Sequence, residues 1–264
     1  MLGSTFLPAL LSVALFVSSA AARRGDCPVA DPSVIAHEGE SVGKEEKYNN
    51  VTLYVTGPPS DKAVVYLTDI FGIQLAENRL LADSFGRAGY LVVAPDLFNG
   101  SPPGLDIADM SPVQLSQFLD DNPPEDTDAL VATAVEYLHK VKNISRIAAT
   151  GYCYGGRFSF RAIAEGTGID VAFAAHPSNL QNDEIEAITG AVSVAAADAD
   201  TLNPPSRRAE IEGLLLNTTQ PYSVALYGSV SHGFGVRANV SDPRQKFAKE
   251  EAFFQAVRWF DTWV

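Results

Sequence analysis

Three residues of this chain carry the side chains that nucleophilic acyl transfer needs. Cys153 is the centre of Gly151-Tyr152-Cys153-Tyr154-Gly155-Gly156, which follows the apolar run Arg146 to Thr150 and precedes a helical pattern from Arg157 to Ala164. Such a frame reads as a strand-turn-helix elbow. Its central residue is held in a strained turn with the side chain exposed, and small residues two positions to either side let strand and helix pack closely. The helix that starts just after Cys153 directs free N–H groups and a positive dipole end toward the sulfur, which favours thiolate over thiol. A buried structural cysteine is the plain alternative for such a residue taken alone. The glycine frame at a strand-to-helix junction favours the nucleophile.

A nucleophile of this kind needs a base, and the base needs an acid to orient it. His232 stands in Ser231-His232-Gly233-Phe234 after the last expected strand, and two acids follow an earlier one in Ala195-Ala196-Ala197-Asp198-Ala199-Asp200. Asp200 is preferred over Asp198 because it sits further into the loop, ahead of Pro204. Taken singly, each reads equally as a solvated loop acid or a satisfied loop histidine; the ordered set argues for a site. The oxyanion of the tetrahedral intermediate requires two backbone N–H groups. They are expected from Tyr154, just after the nucleophile, and from Ile70, in Thr68-Asp69-Ile70-Phe71-Gly72 at the end of an early central strand. His37 falls in an N-terminal arm and His139 on a helix surface, while His176 ends a further strand, where pocket-lining and structural roles are both open. No histidines, cysteines and acids stand at metal-ligand spacing and no glycine-rich phosphate loop occurs, so neither a metal nor a nucleotide is implied.

The elements that must position these residues alternate in type. Val51 to Thr56, Ala63 to Leu67, Tyr90 to Ala94, Arg146 to Thr150, Val171 to Ala175, Ala191 to Ala197 and Tyr222 to Tyr227 read as strands. Leu75 to Ala88, Asp126 to Val141, Arg157 to Ala164, Pro205 to Leu216 and Arg244 to Thr262 read as helices. The irregular stretch Leu97 to Pro124, with a short helix from Pro112 to Leu119, reads as a cover for the site. This alternation implies an α/β protein with a mostly parallel, doubly wound sheet and helices on both faces. The order nucleophile, acid, histidine is that of the α/β-hydrolase fold. Each of the three residues lies just beyond a strand's C-terminal end, where an open α/β sheet places its chemistry.

The first 22 residues carry no charged side chain and contain an apolar run from Phe6 to Val17. They read as a secretory signal peptide cleaved after Ala20-Ala21-Ala22, the run being too short to span a bilayer. Residues 23–47 read as a polar N-terminal arm and 48–264 as one α/β domain. In a secreted chain the N-x-S/T sequons at Asn50, Asn143, Asn217 and Asn239, and less convincingly at Asn99, become glycan sites. The net charge of −13 argues against nucleic acid and anionic membrane surfaces as partners. A small-molecule substrate and a monomeric state are expected instead. Two cysteines are too few for a disulfide scaffold, and pairing Cys27 with Cys153 would consume the nucleophile.

The segments Thr68 to Gly72, Ala94-Pro95-Asp96, Gly151 to Gly156, His176-Pro177-Ser178, Asp200 with Pro204, and Ser231 to Phe234 with Arg237 resemble the dienelactone hydrolase family, in its fungal secreted form. The resemblance covers most of the chain beyond the arm. It implies a single-domain, cofactor-free α/β hydrolase that opens a lactone or cleaves an ester through a thioester acyl-enzyme. Cys153, Asp200 and His232 match the family's nucleophile, acid and base. In bacterial members a glutamate before Ile-Phe-Gly takes part in activating the thiol; Asp69 stands there, one methylene shorter, and holding the strand-end loop is its alternative job. Bacterial members grip a substrate carboxylate with arginines, as bidentate recognition asks. Arg237 is a candidate for one, but no arginine follows Pro95-Asp96-Leu97-Phe98. The resemblance therefore leaves a broader carboxylesterase or thioesterase beside the lactone hydrolase. Phe71, Phe98 and Phe234, with Tyr152 and Tyr154, are expected to line an aromatic pocket. From another class, a secreted hydrolase-fold protein that binds a ligand without turnover remains a rival, since fold does not fix function.

Overall fold

The computed structural model describes residues 34–103 and 111–264, together with Met1 and Gly3. The rest of the segment read as a signal peptide, residues 23–33 of the arm and Cys27 lie outside the described residues. Strands β1 (Lys44–Tyr48), β2 (Val51–Thr56), β3 (Lys62–Leu67), β4 (Leu91–Pro95), β5 (Arg146–Tyr152), β6 (Val171–Ala175), β7 (Ala191–Ala199) and β8 (Tyr222–Ser231) form one sheet. The helices are α1 (Ala76–Arg87), α2 (Pro112–Asp121), α3 (Pro124–Lys140), α4 (Tyr154–Arg161), α5 (Asn182–Glu186), α6 (Pro205–Asn217), α7 (Phe234–Arg237) and α8 (Pro243–Trp263).

The strand order is β1-β2-β4-β3-β5-β6-β7-β8. β1, β2 and β4 pair antiparallel, and every pairing from β4 through β8 is parallel. Parallel strands need coverage on both faces, which is why β3 to β7 read as near-continuous apolar runs. Alternate residues serve the two faces. Val65, Leu67, Ala149, Val192 and Val194 join Leu130, Ala134, Phe158 and Ile211 of α3, α4 and α6 in one core. On the opposite face Tyr66, Tyr152 and Phe173 stack in sequence, and Tyr66 meets Phe85 of α1, which in turn meets Phe253 of α8. This is an α/β-hydrolase fold, as the alternation of elements implies.

Three elements differ from the sequence expectation. All but the last residue of β1 lie in the segment read as an arm: those four residues are charged and the strand pairs on one side only, so it carries no burial signature. Residues just before it are also tied down, since Val42 N–H and Tyr54 Oη both donate to buried Asp83 of α1, at 2.9 and 2.8 Å. α5 and α7 span five and four residues, too few to show a helical period. Among the described residues no helix is long and apolar enough to cross a membrane.

Candidate active site

The elbow is built by backbone contact. A Cβ at Gly151 would stand 2.1 Å from Gly155 O, and one at Gly155 would stand 2.3 Å from Leu67 O. Glycine at both positions lets β5, α4 and the end of β3 meet. Between them Cys153 adopts φ +52°, ψ −112°, a region that costs an L-residue about 1–3 kcal/mol and is held only by its surroundings. Those surroundings include three backbone bonds to neighbouring elements: Cys153 N to Ala175 O (3.1 Å), Gly155 N to Thr68 O (3.0 Å) and Ser178 N to Cys153 O (3.0 Å). Cys153 is 7% exposed, and its free thiol lies 3.8 Å from Ser178 Oγ.

His232 and Asp200 meet as their order implies. Nδ1 of His232 lies 2.9 Å from Asp200 Oδ2. Asp200 is buried, and its Oδ1 accepts Leu202 N–H (2.9 Å) and Asn203 N–H (3.3 Å). Burial alone would raise its carboxyl, but the bond and charge of His232, with Leu202 and Asn203, hold it below the ordinary carboxylate range. Burial pulls the His232 ring down, yet Asp200 and the neighbouring Cys153 outweigh it and push the ring up to about 10. His232 Nε2 is buried beside Cys153, whose contact and charge both help to raise the ring. Asp198 instead accepts Val230 N–H at 3.2 Å on the strand edge, away from the imidazole.

Backbone N–H groups of Ile70 and Tyr154 donate to nothing among the described residues, and Gly155 N–H to Thr68 O ties their two loops together. The carboxylate of Asp69, fully buried, accepts Phe71 N–H (3.1 Å) and Asn78 Nδ2 (2.8 Å) on Oδ1 and Arg237 Nε (3.1 Å) on Oδ2. Burial raises its pKa against these three partners. Both oxygens are engaged, so in this arrangement Asp69 holds the strand-end loop and Arg237 rather than the thiol.

The aromatic residues divide. Phe71 lies under the Arg237 guanidinium at 4.8 Å, and Phe98 sits between Tyr154 (5.1 Å) and Phe118 of α2 (5.4 Å). Phe234 packs on His176 and Tyr227, supporting the histidine loop. Tyr152 belongs to the aromatic stack on the α1–α8 face. A surface cleft of about 800 Å³ bordered by α3, α4 and α5 contains none of these residues. No group of three acids, histidines or cysteines among the described residues fits a metal ion.

The model of the dienelactone hydrolase family matches residues 51–264. The chain belongs to the dienelactone hydrolase family. "Hydrolase pyvD" of Aspergillus violaceofuscus is 38% identical over 231 residues, covering 86% of this chain and 93% of its own. "Dienlactone hydrolase 2" of Gibberella moniliformis is 26% identical over 243 residues, covering 86% and 91%. A solved putative dienelactone hydrolase from Klebsiella pneumoniae shares the fold, with a TM-score of 0.67 at 18% identity over 84% of this chain and 99% of its own.

Within this dienelactone hydrolase framework, Asn203 and Asn78 carry no motif that sequence reasoning picked out, whereas His176 was named there with its role open. Asn203 donates from Nδ2 to Pro177 O (2.5 Å) and reaches Asp200 Oδ2 (3.4 Å), joining the acid loop to the His176-Pro177-Ser178 loop. Asn78 donates to Asp69 and accepts Tyr66 Oη at 3.1 Å. Its signal was an asparagine on the buried stripe of an amphipathic helix. His176, fully buried, accepts Gly235 N–H on Nε2 at 3.1 Å, with its ring centroid 5.0 Å from that of His232. Burial, then the His232 charge, hold its pKa well below the ordinary histidine range, so it stays neutral beside the charged ring.

Proposed function

We propose that the protein is a secreted hydrolase that opens a small lactone, or cleaves a small carboxylic ester, through a thioester on Cys153. The observation that carries this reading is the 2.9 Å contact of Asp200 with His232 Nδ1, which leaves Nε2 buried beside the cysteine of a strained elbow.

In the resting site the imidazolium of His232 and the Cys153 thiolate form an ion pair supported by Asp200. The thiolate attacks the ester carbonyl carbon, and charge moves to the carbonyl oxygen, which receives the N–H groups of Ile70 and Tyr154. As the C–O bond breaks, Nε2 of His232 gives its proton to the leaving alkoxide or enolate. The neutral ring then takes a proton from water, whose oxygen attacks the thioester carbon. Collapse expels the thiolate and restores the ion pair. Thiolate is a good nucleophile and a good leaving group, so activated esters and enol lactones react well and amides poorly.

Substrate class follows from the groups around the thiol. Arg237 uses only Nε for Asp69, which leaves its two terminal nitrogens for a substrate carboxylate, seated over Phe71. Exposed Asn99, not an arginine, follows Phe98, which favours a wider range of small esters, thioesters included, as the second reading. Secretion rests on the apolar, uncharged N-terminal segment. The asparagines of the sequons Asn50, Asn99, Asn143, Asn217 and Asn239 all stand exposed or half-exposed, as glycan sites require. The test compares hydrolysis of p-nitrophenyl acetate and of a dienelactone by wild type and Cys153→Ala. Turnover of both, lost on substitution, is the expected result; turnover of the simple ester alone moves the reading to a general esterase. Undiminished activity in Cys153→Ala overturns the mechanism.

A further inference from the structure

Lys249 of α8 is a buried cation that the acyl-transfer chemistry leaves unused. Its side chain is 4% exposed, and Nζ donates to Val236 O at 2.9 Å. Enclosing an ammonium group is costly, and an apolar side chain of similar length would fill the same space without that cost. The contact itself is what lysine adds, and it lands on α7, the four-residue turn that starts two residues after His232.

α7 has little to hold its own shape. Its internal bonds run from Val236 N and Arg237 N to the one acceptor Gly233 O, at 3.0 and 2.8 Å. Gly233 has φ +93°, and a Cβ there would stand 2.4 Å from Arg237 Nη2, so the turn is both tight and crowded. Its position is fixed from outside at three successive residues. Gly235 N–H goes to His176 Nε2, Val236 O receives Lys249 Nζ, and Arg237 Nε reaches Asp69 Oδ2. The carbonyl of Val236 is the kind of orphan acceptor that a helix end leaves open, and a cation is the charge that suits it.

We propose that Lys249 is a positioning residue: by holding the Val236 carbonyl it sets α7, and thereby aims Arg237 at the substrate carboxylate and fixes the loop that carries His232. The proposal deepens the reading of the protein as a cysteine hydrolase and rests on it for the roles of Arg237 and His232. Burial drags the Lys249 ammonium down to about 8, against the opposing charges of Glu77 on α1 and Glu250 on α8. Because the folded state holds this proton less tightly than the unfolded chain does, Lys249→Met removes a destabilising group at neutral pH and is expected to fold.

The test uses two probes of Cys153 that differ in charge, iodoacetate and iodoacetamide, on the full secreted protein. Wild type is expected to prefer the carboxylate reagent, and Arg237→Met to lose that preference. Lys249→Met is expected to lower the iodoacetate-to-iodoacetamide rate ratio by about tenfold, within the roughly hundredfold that a misplacement of about 1 Å can cost. Amide hydrogen exchange over residues 233–237 should quicken by a similar factor while the rest of α8 keeps its protection. A merely structural lysine would slow both reagents alike. An unchanged ratio together with unchanged exchange overturns the proposal. If neither reagent modifies wild-type Cys153, the functional reading falls, and the exchange measurement alone decides whether Lys249 holds α7. Should Lys249→Met not fold, Lys249→Gln, which keeps a shorter donor, is read by the same two measurements.

Discussion

Asp200→Asn removes one charge at almost constant volume, and the contacts of the carboxylate set its cost. Oδ1 accepts Leu202 N–H and Asn203 N–H at 2.9 and 3.3 Å; Oδ2 accepts His232 Nδ1–H and Asn203 Nδ2 at 2.9 and 3.4 Å. An amide has one acceptor oxygen, so its NH₂ group must face one pair of donors. Facing the backbone pair leaves two buried N–H groups unpaired, at about 1–3 kcal/mol each. Facing the histidine costs less, because Nδ1 can turn acceptor and move its proton to Nε2. That tautomer cannot take a proton from Cys153. The expected loss is about 10³–10⁴ in kcat/KM, roughly 4–5.5 kcal/mol of transition-state stabilisation.

The same substitution changes the pH dependence of stability. Without the carboxylate, the His232 ring falls from about 10 toward its ordinary value of 6.5 or lower, since burial is then opposed by Cys153 alone. Stability follows the signs of the shifts. The raised pKa of His232 contributes stability fully below 6.5 and loses it as pH rises toward 10. The lowered pKa of Asp200 contributes above 3.8 and is lost as pH falls below it. The wild type should exceed the variant most between these two ordinary values, and the gap should narrow on either side. A kcat/KM within about tenfold of wild type, or superimposable stability profiles against pH, would refute the reasoning.

Two further substitutions probe the supports of the site. Gly155→Ala places a Cβ 2.3 Å from Leu67 O and 2.5 Å from Thr68 O, backbone atoms that cannot rotate away; a loss of about 3 kcal/mol in urea unfolding is expected, and wild-type stability would contradict the close packing of the elbow. Asn203→Ala cuts the link from Pro177 O to the Asp200 loop, so kcat should fall about tenfold with KM nearly unchanged, and a change confined to KM would assign Asn203 to substrate binding instead.

Much of the fold was legible because most of its elements carry strong local signals. The apolar runs of β3 to β7 announce buried parallel strands, and the spacing in α1, α3, α6 and α8 announces helices covering them. β1 escaped because charged edge strands do not look buried, and α7 because four residues cannot show a period.

For the site, the sequence alone determined the residue types and the junctions. Gly151, Cys153 and Gly155 can serve an elbow only at a strand-to-helix turn, and chain order placed Asp200 and His232 beyond later strand ends. Which acid meets the imidazole was settled in three dimensions. β7 and β8 shift register between Ala197 and Ala199, so Asp198 stays on the strand edge with Val230 while Asp200 turns inward to His232. The roles of Asn78, Asn203, His176 and Lys249 were likewise decided only by tertiary structure. Each acts by meeting a group on another element, and such meetings depend on how the strand ends and helices pack, which no local pattern of residues encodes.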